Sequence, residues 1–512
     1  GTEAEGDDND QQQQQQQQVQ LSQRERHQDR LDRIRAYYNE GSFYGTPAAY
    51  IAFEIASQLR FGNEGDLLWL ACVGVTDAYL HSRLDMTGYA FLASELRHKC
   101  QQVYPDNRYE RTINYVYAED LIGGDDGSGG GGNGGDVRTK ITFSENGRIY
   151  AQDDYRFFLL RHSSLLESMV QSDYVSTKLQ VWTKKGQQRL MEMLAKMGYP
   201  LDECKQPFVF MKPSLRRRLK DKISDNAEEY NLEHFKYSSF MRVTGYNSLV
   251  SASDMSYAVT ALLERDPPTS SAADNVAGGA SDDQRAMVDA FNCAYDSLSP
   301  NFETNAGAMS GNGEGYDTTT LVNGGTLPSS VGLGAGILQA RALQSSITQL
   351  AVGLVERKAI TLLRHFRYAY VTSNTVGETQ FSRDEIVSSN NANNTGNDKR
   401  DHIFSKPLAL TRLASYLMDM HRESGKWTGN KARPLVLIAE KPASKTCLVV
   451  GYEYPERHGD HVRNHFGKYF EMTANSMNGT FKFDHFDSNV VEVAGADVQR
   501  FLEQLHYLLD SV

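Results

Sequence analysis

Four side chains in the last part of the chain are of the types that bind metal ions. They are His458, Asp460, His461 and His465, which fall within eight residues. His461 and His465 have the i, i+4 spacing that can turn two imidazoles toward one ion. No His-Glu-x-x-His arrangement accompanies them, and histidines are common on solvated surfaces. We therefore interpret the cluster as a solvated surface and predict neither a metal site nor a bound cofactor.

Asp77 is a second candidate for chemistry. It ends an almost continuous apolar run over residues 66–77, which would place one carboxylate at the end of a buried element. Hydrolysis of a phosphodiester by two metal ions needs several ligands, so one carboxylate cannot assemble such a centre. By itself, Asp77 is assigned no catalytic role.

The glycine-rich stretches lack the spacing of nucleotide-binding loops. None ends in the Gly-Lys-Ser or Gly-Lys-Thr sequence whose lysine and hydroxyl hold phosphate and magnesium. Gly332, Gly334 and Gly336 follow a linker and depart from the dinucleotide fingerprint. The chain is therefore not predicted to be an ATP-driven motor.

The strongest basic patch lies within residues 212–222. It contains Arg216, Arg217, Arg218, Lys220 and Lys222. Leucines punctuate the run, which predicts a helix whose other faces are cationic and able to contact phosphate. A solvated helix face, or a docking surface for an acidic partner, is the commoner role of such a run, and we favour it.

Bulk composition limits the class of protein. The 512 residues are 40% hydrophobic, with a formal net charge of −12, which suits roughly two to four domains and argues against a wholesale basic surface for nucleic acid. The five cysteines form no Cys-x-x-Cys pair, so no disulfide framework is expected. The longest apolar run, residues 67–75, is too short to span a bilayer. We expect a soluble protein of a reducing compartment, without a membrane partner.

Low-complexity segments divide the chain. Residues 1–20 combine an acidic stretch with eight consecutive glutamines, which predicts disorder, and residues 22–38 predict a charged, solvated helix. Flexible insertions are predicted at residues 123–135, 267–283, 300–330 and 388–397.

Apolar periodicity predicts ordered elements between these segments. Helices are predicted at residues 46–59 and 336–366, mainly helical structure at 157–264, and short strands at 113–117 and 140–143. In the last third, strands at 368–372, 434–439, 446–450 and 490–493 alternate with helices at 408–421, 466–476 and 496–509. This alternation predicts a C-terminal α/β domain.

Three blocks of sequence carry a resemblance to a known family. They include Tyr44-Gly45-Thr46-Pro47 with Val73-Gly74-x-Thr76-Asp77, then Leu160-Arg161-His162-Ser163-Ser164-Leu165 and the residues to 201, and finally Asn464-x-Phe466-Gly467 with Phe486-Asp487-Ser488. In this order they resemble the cell division control protein forty-five family of replication proteins, over most of residues 35–512.

The resemblance implies an α/β fold class in several parts. After a disordered and charged linker (1–34), we expect the C-terminal half of a DHH-type α/β domain (35–160) and a helical interdomain module (161–264). A low-complexity linker with a short helix (265–335) and a long helix with a DHHA1-like α/β domain (336–512) would follow, with disordered insertions. The first half of the DHH-type domain is expected to be missing from this chain.

The resemblance also implies a non-catalytic scaffold subunit of the replicative helicase in the nucleus. The expected partners are the minichromosome-maintenance ATPase ring, the GINS complex and other replication initiation factors, contacted chiefly through residues 161–264. Weak binding of single-stranded DNA is expected at Arg216, Arg217, Arg218, Lys220 and Lys222.

An active phosphoesterase is the alternative function. The family is related to DHH phosphoesterases, whose Asp-His-His tripeptide and further aspartates hold two metal ions. This sequence contains no Asp-His-His, although Gly74-Val75-Thr76-Asp77 resembles a later motif of that superfamily. A metal-dependent phosphoesterase or nuclease would use Asp77 as a surviving ligand.

Overall fold

The computed structural model describes residues 26–37, 39–60, 64–104, 147–244, 248–264, 282–298, 332–372, 403–427, 429, 432–442, 444–455 and 462–511. The strands predicted at 113–117 and 140–143 lie outside these residues, as do most of the predicted insertions and His458, Asp460 and His461. The predicted α/β class is confirmed, because the described residues form helices and two sheets. No described helix is both long and apolar enough to cross a membrane.

The first part of the fold is a group of helices around one apolar helix. An exposed helix α1 spans residues 26–37, and α2 (Ala48–Gln58), α3 (Glu64–Leu80) and α4 (Met86–Val103) follow. α3 packs against both α2 and α4, because its apolar run leaves no wide polar face. Asp85 caps α4 by accepting a hydrogen bond from the N–H of Gly88.

A three-stranded antiparallel sheet completes this part. β1 (Ile149–Tyr155), β2 (Lys236–Thr244) and β3 (Ser248–Ser251) pair in that order. β2 and β3 correct the prediction that residues 161–264 form a helical module. Five consecutive positions of β2, residues 239–243, are buried, so its sequence lacks the polar and apolar alternation that marks a half-buried strand.

The chain between β1 and β2 forms a helical insert, residues 156–235, with its own core. Its helices are α5 (Leu165–Gln171), α6 (Asp173–Leu179), α7 (Lys184–Lys196), α8 (Leu201–Lys205) and α9 (Pro213–Asn226). Short 3-10 turns lie at Leu160–His162 and Phe208–Phe210. Ser164, Ser172 and Thr183 fix where α5, α6 and α7 begin, because each hydroxyl accepts a hydrogen bond from a first-turn N–H.

Three helices connect the first sheet to the C-terminal part. α10 (Ala252–Leu263) packs against α3, while α11 (Asp282–Ser297) and α12 (Leu333–Glu356) both pack against α10. α11 lies within the linker for which the sequence predicts a short helix. α10 and α12 approach closely at Gly336, where a Cβ would lie 2.9 Å from both the Cβ and the carbonyl oxygen of Ala258.

A six-stranded sheet in the order β4-β5-β6-β7-β9-β8 forms the C-terminal domain. Its strands are β4 (Thr361–Leu362), β5 (Arg367–Val371), β6 (Leu435–Lys441), β7 (Thr446–Tyr452), β8 (Phe481–Lys482) and β9 (Val490–Ala494). Only the β5 and β6 pair is parallel within this sheet. The helices of this domain are α13 (Pro407–Glu423), α14 (Phe466–Ser476) and α15 (Val498–Ser511). They lie within about two residues of the helices predicted from the sequence.

This sheet is buried on both faces. Leu435 and Leu437 of β6 pack in one core with α12 and α13, whereas Val436 and Ile438 pack in another with α14 and α15. Because side chains alternate between the two faces of a strand, β6 reads as a continuous apolar run.

The helix predicted over residues 336–366 is shorter than expected. It ends at Glu356, and Lys358 takes a left-handed φ of +54°. The chain then reverses through β4 and β5, which pair Leu362 with Arg367. Apolar residues after 356 belong to the start of the sheet, so periodicity alone extended the helix too far.

Glu264 connects α10 to the first turn of α13. Its buried carboxylate accepts hydrogen bonds from the backbone N–H groups of Leu408 and Ala409. Burial raises the pKa of Glu264 to about 7, although Lys406 and these N–H groups lower it. The carboxyl group therefore keeps its proton to a higher pH in the folded chain than in the unfolded one.

Two glycines on α12 should respond in opposite ways to alanine. Gly336→Ala should lower the free energy of unfolding by about 1–3 kcal/mol, because the added methyl group meets the α10 backbone. Gly334→Ala is the matched control: its Cβ meets nothing within 4 Å, so it should be neutral or stabilise by up to about 1 kcal/mol. Urea denaturation measures both changes, and equal effects would contradict the close packing.

Glu264 should make stability depend on pH. The pKa is raised from 4.5 to about 7 on folding, so the unfolding free energy should fall by about 3 kcal/mol as pH rises from 4.5 to 7. Glu264→Gln should remove that dependence, whereas the exposed control Glu228→Gln should retain it. Denaturation of the three proteins at pH 5 and pH 8 provides the comparison. Parallel pH profiles for wild type and Glu264→Gln would contradict this role.

Candidate functional site

A cleft of about 1150 Å³ lies where the parts of the fold meet. Its walls come from the turn before α2, the end of α3, the helical insert, α13 and the loops of the C-terminal sheet. Asp77, His81 and Arg83 lie on one wall, with Arg412 and Asp419 on the α13 side. The cleft therefore lies between Asp77 and the C-terminal domain.

Asp77 is engaged by four neighbouring side chains. Its Oδ1 accepts hydrogen bonds from Ser256 at 2.8 Å and Thr260 at 3.3 Å, both on α10. The Nδ1 of His81 lies 3.0 Å from the same oxygen, and Arg83 donates to Oδ2 at 3.3 Å. The carboxylate thus joins the end of α3 to α10.

Electrostatics keep this carboxylate ionised. Burial raises the pKa of Asp77, but His81, Arg83 and the hydrogen bond from Ser256 outweigh it, and the net pKa is lowered. Within the described ranges, no three His, Cys, Asp or Glu side chains come close enough to share a metal ion. Donor groups of the protein therefore stabilise the negative charge of Asp77.

His465 is the one described member of the histidine cluster. Its Nδ1 lies 3.0 Å from Oε1 of Glu453, and its backbone N–H donates to the same oxygen at 3.1 Å. His465 also precedes α14 directly. It therefore helps to join β7 to the start of that helix.

The basic run on α9 does not form one cationic surface. Arg216 is only 4% exposed and shares a buried face with Leu219 and Ile223, so it is removed from the predicted contact surface. The spacing 216, 219 and 223 is that of one helix face and could have revealed this burial. Arg217 and Arg218 are exposed.

The two lysines of the run are partly buried. Lys220 lies 3.7 Å from the carboxylate of Asp153 on β1. Lys222 is half-buried as well. Of the five predicted contact residues, Arg217 and Arg218 are the two whose side chains are exposed.

Polar contacts join the helical insert to the C-terminal domain. Ser176 and Tyr416 share a hydrogen bond of 2.7 Å, and Lys178 binds Glu423 at 2.7 Å. A further set of contacts involves α12: Gln344 donates to Asp173 at 2.6 Å, and Arg341 donates to Glu167 at 2.8 Å. None of these residues was predicted from the sequence, because single polar side chains far apart in the chain carry no spacing signal.

A strap formed by residues 42–44 joins the first part to the C-terminal domain. Ser42 and Asn464 exchange two backbone hydrogen bonds of 2.8 and 2.7 Å. Tyr44 donates a hydrogen bond of 2.8 Å to Asp487. The strap therefore connects the first of the three sequence blocks, which contains Tyr44, to the last, which contains Asn464 and Asp487.

Arg161 links the helical insert to the sheet and to α10. It donates to Asp154 of β1 at 2.8 Å and to Asp254 of α10 at 3.2 Å. Burial raises the pKa of Asp254, but Arg161 and His162 outweigh it and lower the net value. Arg161 and His162 belong to the middle of the three sequence blocks, and these contacts give both residues a structural role.

Comparisons with known proteins show which chains are similar. The CDC45 family model matches residues 2–508. The cell division control protein 45 homolog of Dictyostelium discoideum is 28% identical over 468 residues, which cover 91% of this chain and 62% of that protein. The Schizosaccharomyces pombe homolog is 27% identical over 494 residues, covering 95% and 67%. This chain spans about two thirds of the length of these relatives.

A solved structure has the same fold. The crystal structure of CDC45 from Entamoeba histolytica superposes with a TM-score of 0.55 at 20% identity, covering 91% of this chain and 72% of that one. At this identity the likeness shows the fold alone.

Asp77→Asn should weaken the fold. The variant leaves Arg83 without its counter-charge, and we expect a loss of about 1–3 kcal/mol in the free energy of unfolding at neutral pH. Because folding lowers the pKa of Asp77 from its usual 3.8, this contribution is present above pH 3.8 and disappears as pH falls further. Denaturation at pH 7 and pH 3 measures it.

An exposed aspartate on α9 provides the control for this prediction. Asp225→Asn should leave stability unchanged at both pH values, because Asp225 is exposed. Manganese-dependent cleavage of single-stranded DNA that is present in wild type and Asp225→Asn, yet lost in Asp77→Asn, would instead indicate a catalytic carboxylate.

Proposed function

The chain belongs to the CDC45 family, and from that premise we propose that it is a non-catalytic scaffold subunit of the replicative DNA helicase. In this role it would link the minichromosome-maintenance ATPase ring to the GINS complex during replication initiation and fork progression, in the nucleus. Other initiation factors would bind the same assembly. The partners and the location follow from the resemblance of the sequence to the family.

The polar contacts between the parts of the fold carry this proposal. A scaffold must hold surfaces on different domains at fixed distances from each other. The Lys178 and Glu423 pair, the Ser176 and Tyr416 hydrogen bond and the strap at residues 42–44 serve that need. Such contacts are directional, so they favour one arrangement of domains over others.

The chemistry of Asp77 supports a structural role. Three side chains of the protein contact Oδ1 of Asp77 and Arg83 donates to Oδ2, so protein groups engage both carboxylate oxygens. A metal ion would have to compete with these partners for Asp77. The scaffold function therefore agrees better with its geometry.

The helical insert offers a surface for a partner. Phe210 is 56% exposed and lies just before α9, which presents Arg217 and Arg218 to solvent. Exposed aromatic rings and arginines are the residue types enriched in binding hot spots. We propose that an acidic segment of the ring or of GINS binds there, with weak single-stranded DNA binding as a second use of the same arginines.

Charge reversal at this surface should weaken assembly. Phe210→Glu, and separately the double variant Arg217→Glu/Arg218→Glu, should each lower the affinity for the purified ring with GINS by at least about tenfold. Tyr507→Glu is the matched control, since Tyr507 is a similarly exposed aromatic residue on α15. Fluorescence anisotropy of the labelled full chain measures the affinities.

The outcomes separate the possible partners. Failure of the ring and GINS to retain the wild-type chain would contradict the scaffold function. For DNA, the double variant should also reduce the dependence of single-strand affinity on salt concentration. An unchanged salt dependence would assign Arg217 and Arg218 to protein binding alone.

A further inference from the structure

The cleft that contains Asp77 is lined by more acidic than basic side chains. Eight aspartates and glutamates line it, compared with four lysines and arginines. Burial raises the pKa of Asp173, and burial together with the nearby Asp173 raises the pKa of Asp419 to about 6. A positive charge in the cleft would stabilise the ionised form of both carboxyl groups. The cleft therefore favours a cationic occupant.

His81 supplies a hydrogen-bond acceptor to this cleft. Its side chain is only 6% exposed, and its Nδ1 lies 3.0 Å from Oδ1 of Asp77. Because an ionised carboxylate can only accept, Nδ1 carries the shared proton, and Nε2 of the neutral ring is left as an acceptor. This Nε2 is buried and has no hydrogen-bond partner among the residues that the structure describes. An unpartnered buried acceptor is suited to a ligand that brings an N–H group.

Arg412 on α13 supplies a donor on the same part of the wall. One end of its guanidinium donates to Gln344, whereas the buried Nη1 has no acceptor within the described ranges. The ring of Tyr257 lies 6.1 Å from that of His81 between centroids, and Cζ of Arg412 lies 5.8 Å from the Tyr257 centroid. One acceptor and one donor are therefore available together, which matches the N–H and C=O groups of a peptide backbone.

Phe486 adds an aromatic ring at the outer edge of the cleft. It lines the cleft and is 98% exposed. The next residue, Asp487, also lines the cleft, and Tyr44 fixes its carboxylate through a hydrogen bond of 2.8 Å. An aromatic face attracts ammonium and guanidinium groups, and an adjacent carboxylate adds to that attraction.

We propose that the cleft binds an extended segment of a partner protein that carries lysine or arginine side chains. Backbone groups of the segment contact His81 and Arg412, and a basic side chain contacts Phe486 and Asp487. The volume of about 1150 Å³ exceeds the roughly 300–1,000 Å³ of ordinary small-molecule pockets, so several residues have room. This inference does not depend on the ring or on GINS and goes beyond the scaffold function.

Two other charged ligands fit the cleft less well. A polyamine has the right charge but offers no acceptor to Nη1 of Arg412. The phosphates of a nucleic acid would meet an excess of carboxylates, and like charges repel. A basic peptide matches both the charge of the cleft and its two unpartnered groups.

Fluorescence anisotropy of a labelled peptide tests the binding. The probe is a short peptide of alternating lysine and alanine with blocked ends, and a peptide of glutamate and alanine is the reference. The full chain should bind the basic peptide with an affinity that falls as salt rises, and it should not bind the acidic one. No binding of the basic peptide, or its displacement by spermidine at equal positive charge, would overturn the proposal.

Two substitutions with matched controls locate the peptide. Phe486→Ser and Asp419→Asn should each weaken binding by at least about fivefold, and the exposure of Phe486 means that its replacement leaves the fold intact. Tyr507→Ser and Asp225→Asn change an exposed aromatic residue and an exposed aspartate outside the cleft, and they should bind like wild type. Equal affinities for all four variants would place the peptide on another surface.

Cross-linking identifies the occupant directly. A peptide with one benzoylphenylalanine should form adducts with residues that line the cleft, located by mass spectrometry, and adducts elsewhere would contradict the proposal. Pro455 and Val462 both line the cleft, and Arg457 lies between them in the sequence. If the peptide binds only after Arg457→Ser, the chain supplies its own basic occupant, and the proposal of a partner segment fails.

Discussion

The position of the helical insert depends on the buried ion pairs of Arg161. This guanidinium lies between Asp154 of the first sheet and Asp254 of α10, and both carboxylates are buried. A buried carboxylate without a counter-charge costs several kcal/mol, so Arg161 strongly favours this arrangement. Serine hydroxyls at Asp154 and His162 at Asp254 add to its effect. Arg161 lies near the start of the helical insert. Its ion pairs therefore orient α5 to α9 against the sheet and place α6 in contact with α13. The contacts of Ser176 and Lys178 can form only from that position.

The sequence predicted the elements better than it predicted their boundaries. The helices of the C-terminal domain were found from their apolar period of 3.6, and its main strands from short and nearly continuous apolar runs. β2 was missed because its buried run includes polar residues such as Ser239 and Arg242. The end of α12 was missed because apolar residues continue into the sheet. The resemblance to the CDC45 family, based on three sequence blocks, is confirmed by the family match over residues 2–508.

The candidate site was only partly predictable. Asp77 was identified from its place at the end of an apolar run, but its partners Ser256 and Thr260 lie far along the chain on another helix. Arg216 was placed on a contact surface because charge normally signals exposure, whereas its spacing with Leu219 and Ile223 signals burial. Contacts such as Ser42 with Asn464 join segments whose separation hides them from local patterns. Such pairs depend on tertiary structure, which periodicity does not encode.

The pairing of β1 with β2 has a consequence for how the chain folds. Tyr155 lies opposite Lys236, so this pair closes a loop of about 80 residues, and the entropy cost of closure rises with loop length. If the helical insert folds first, its ends come close together and most of that cost is removed. During synthesis from the N-terminus, β1 leaves the ribosome well before β2, and it waits with an unpaired edge while the insert assembles. The order of synthesis therefore exposes β1 to wrong pairing for as long as the insert takes to fold.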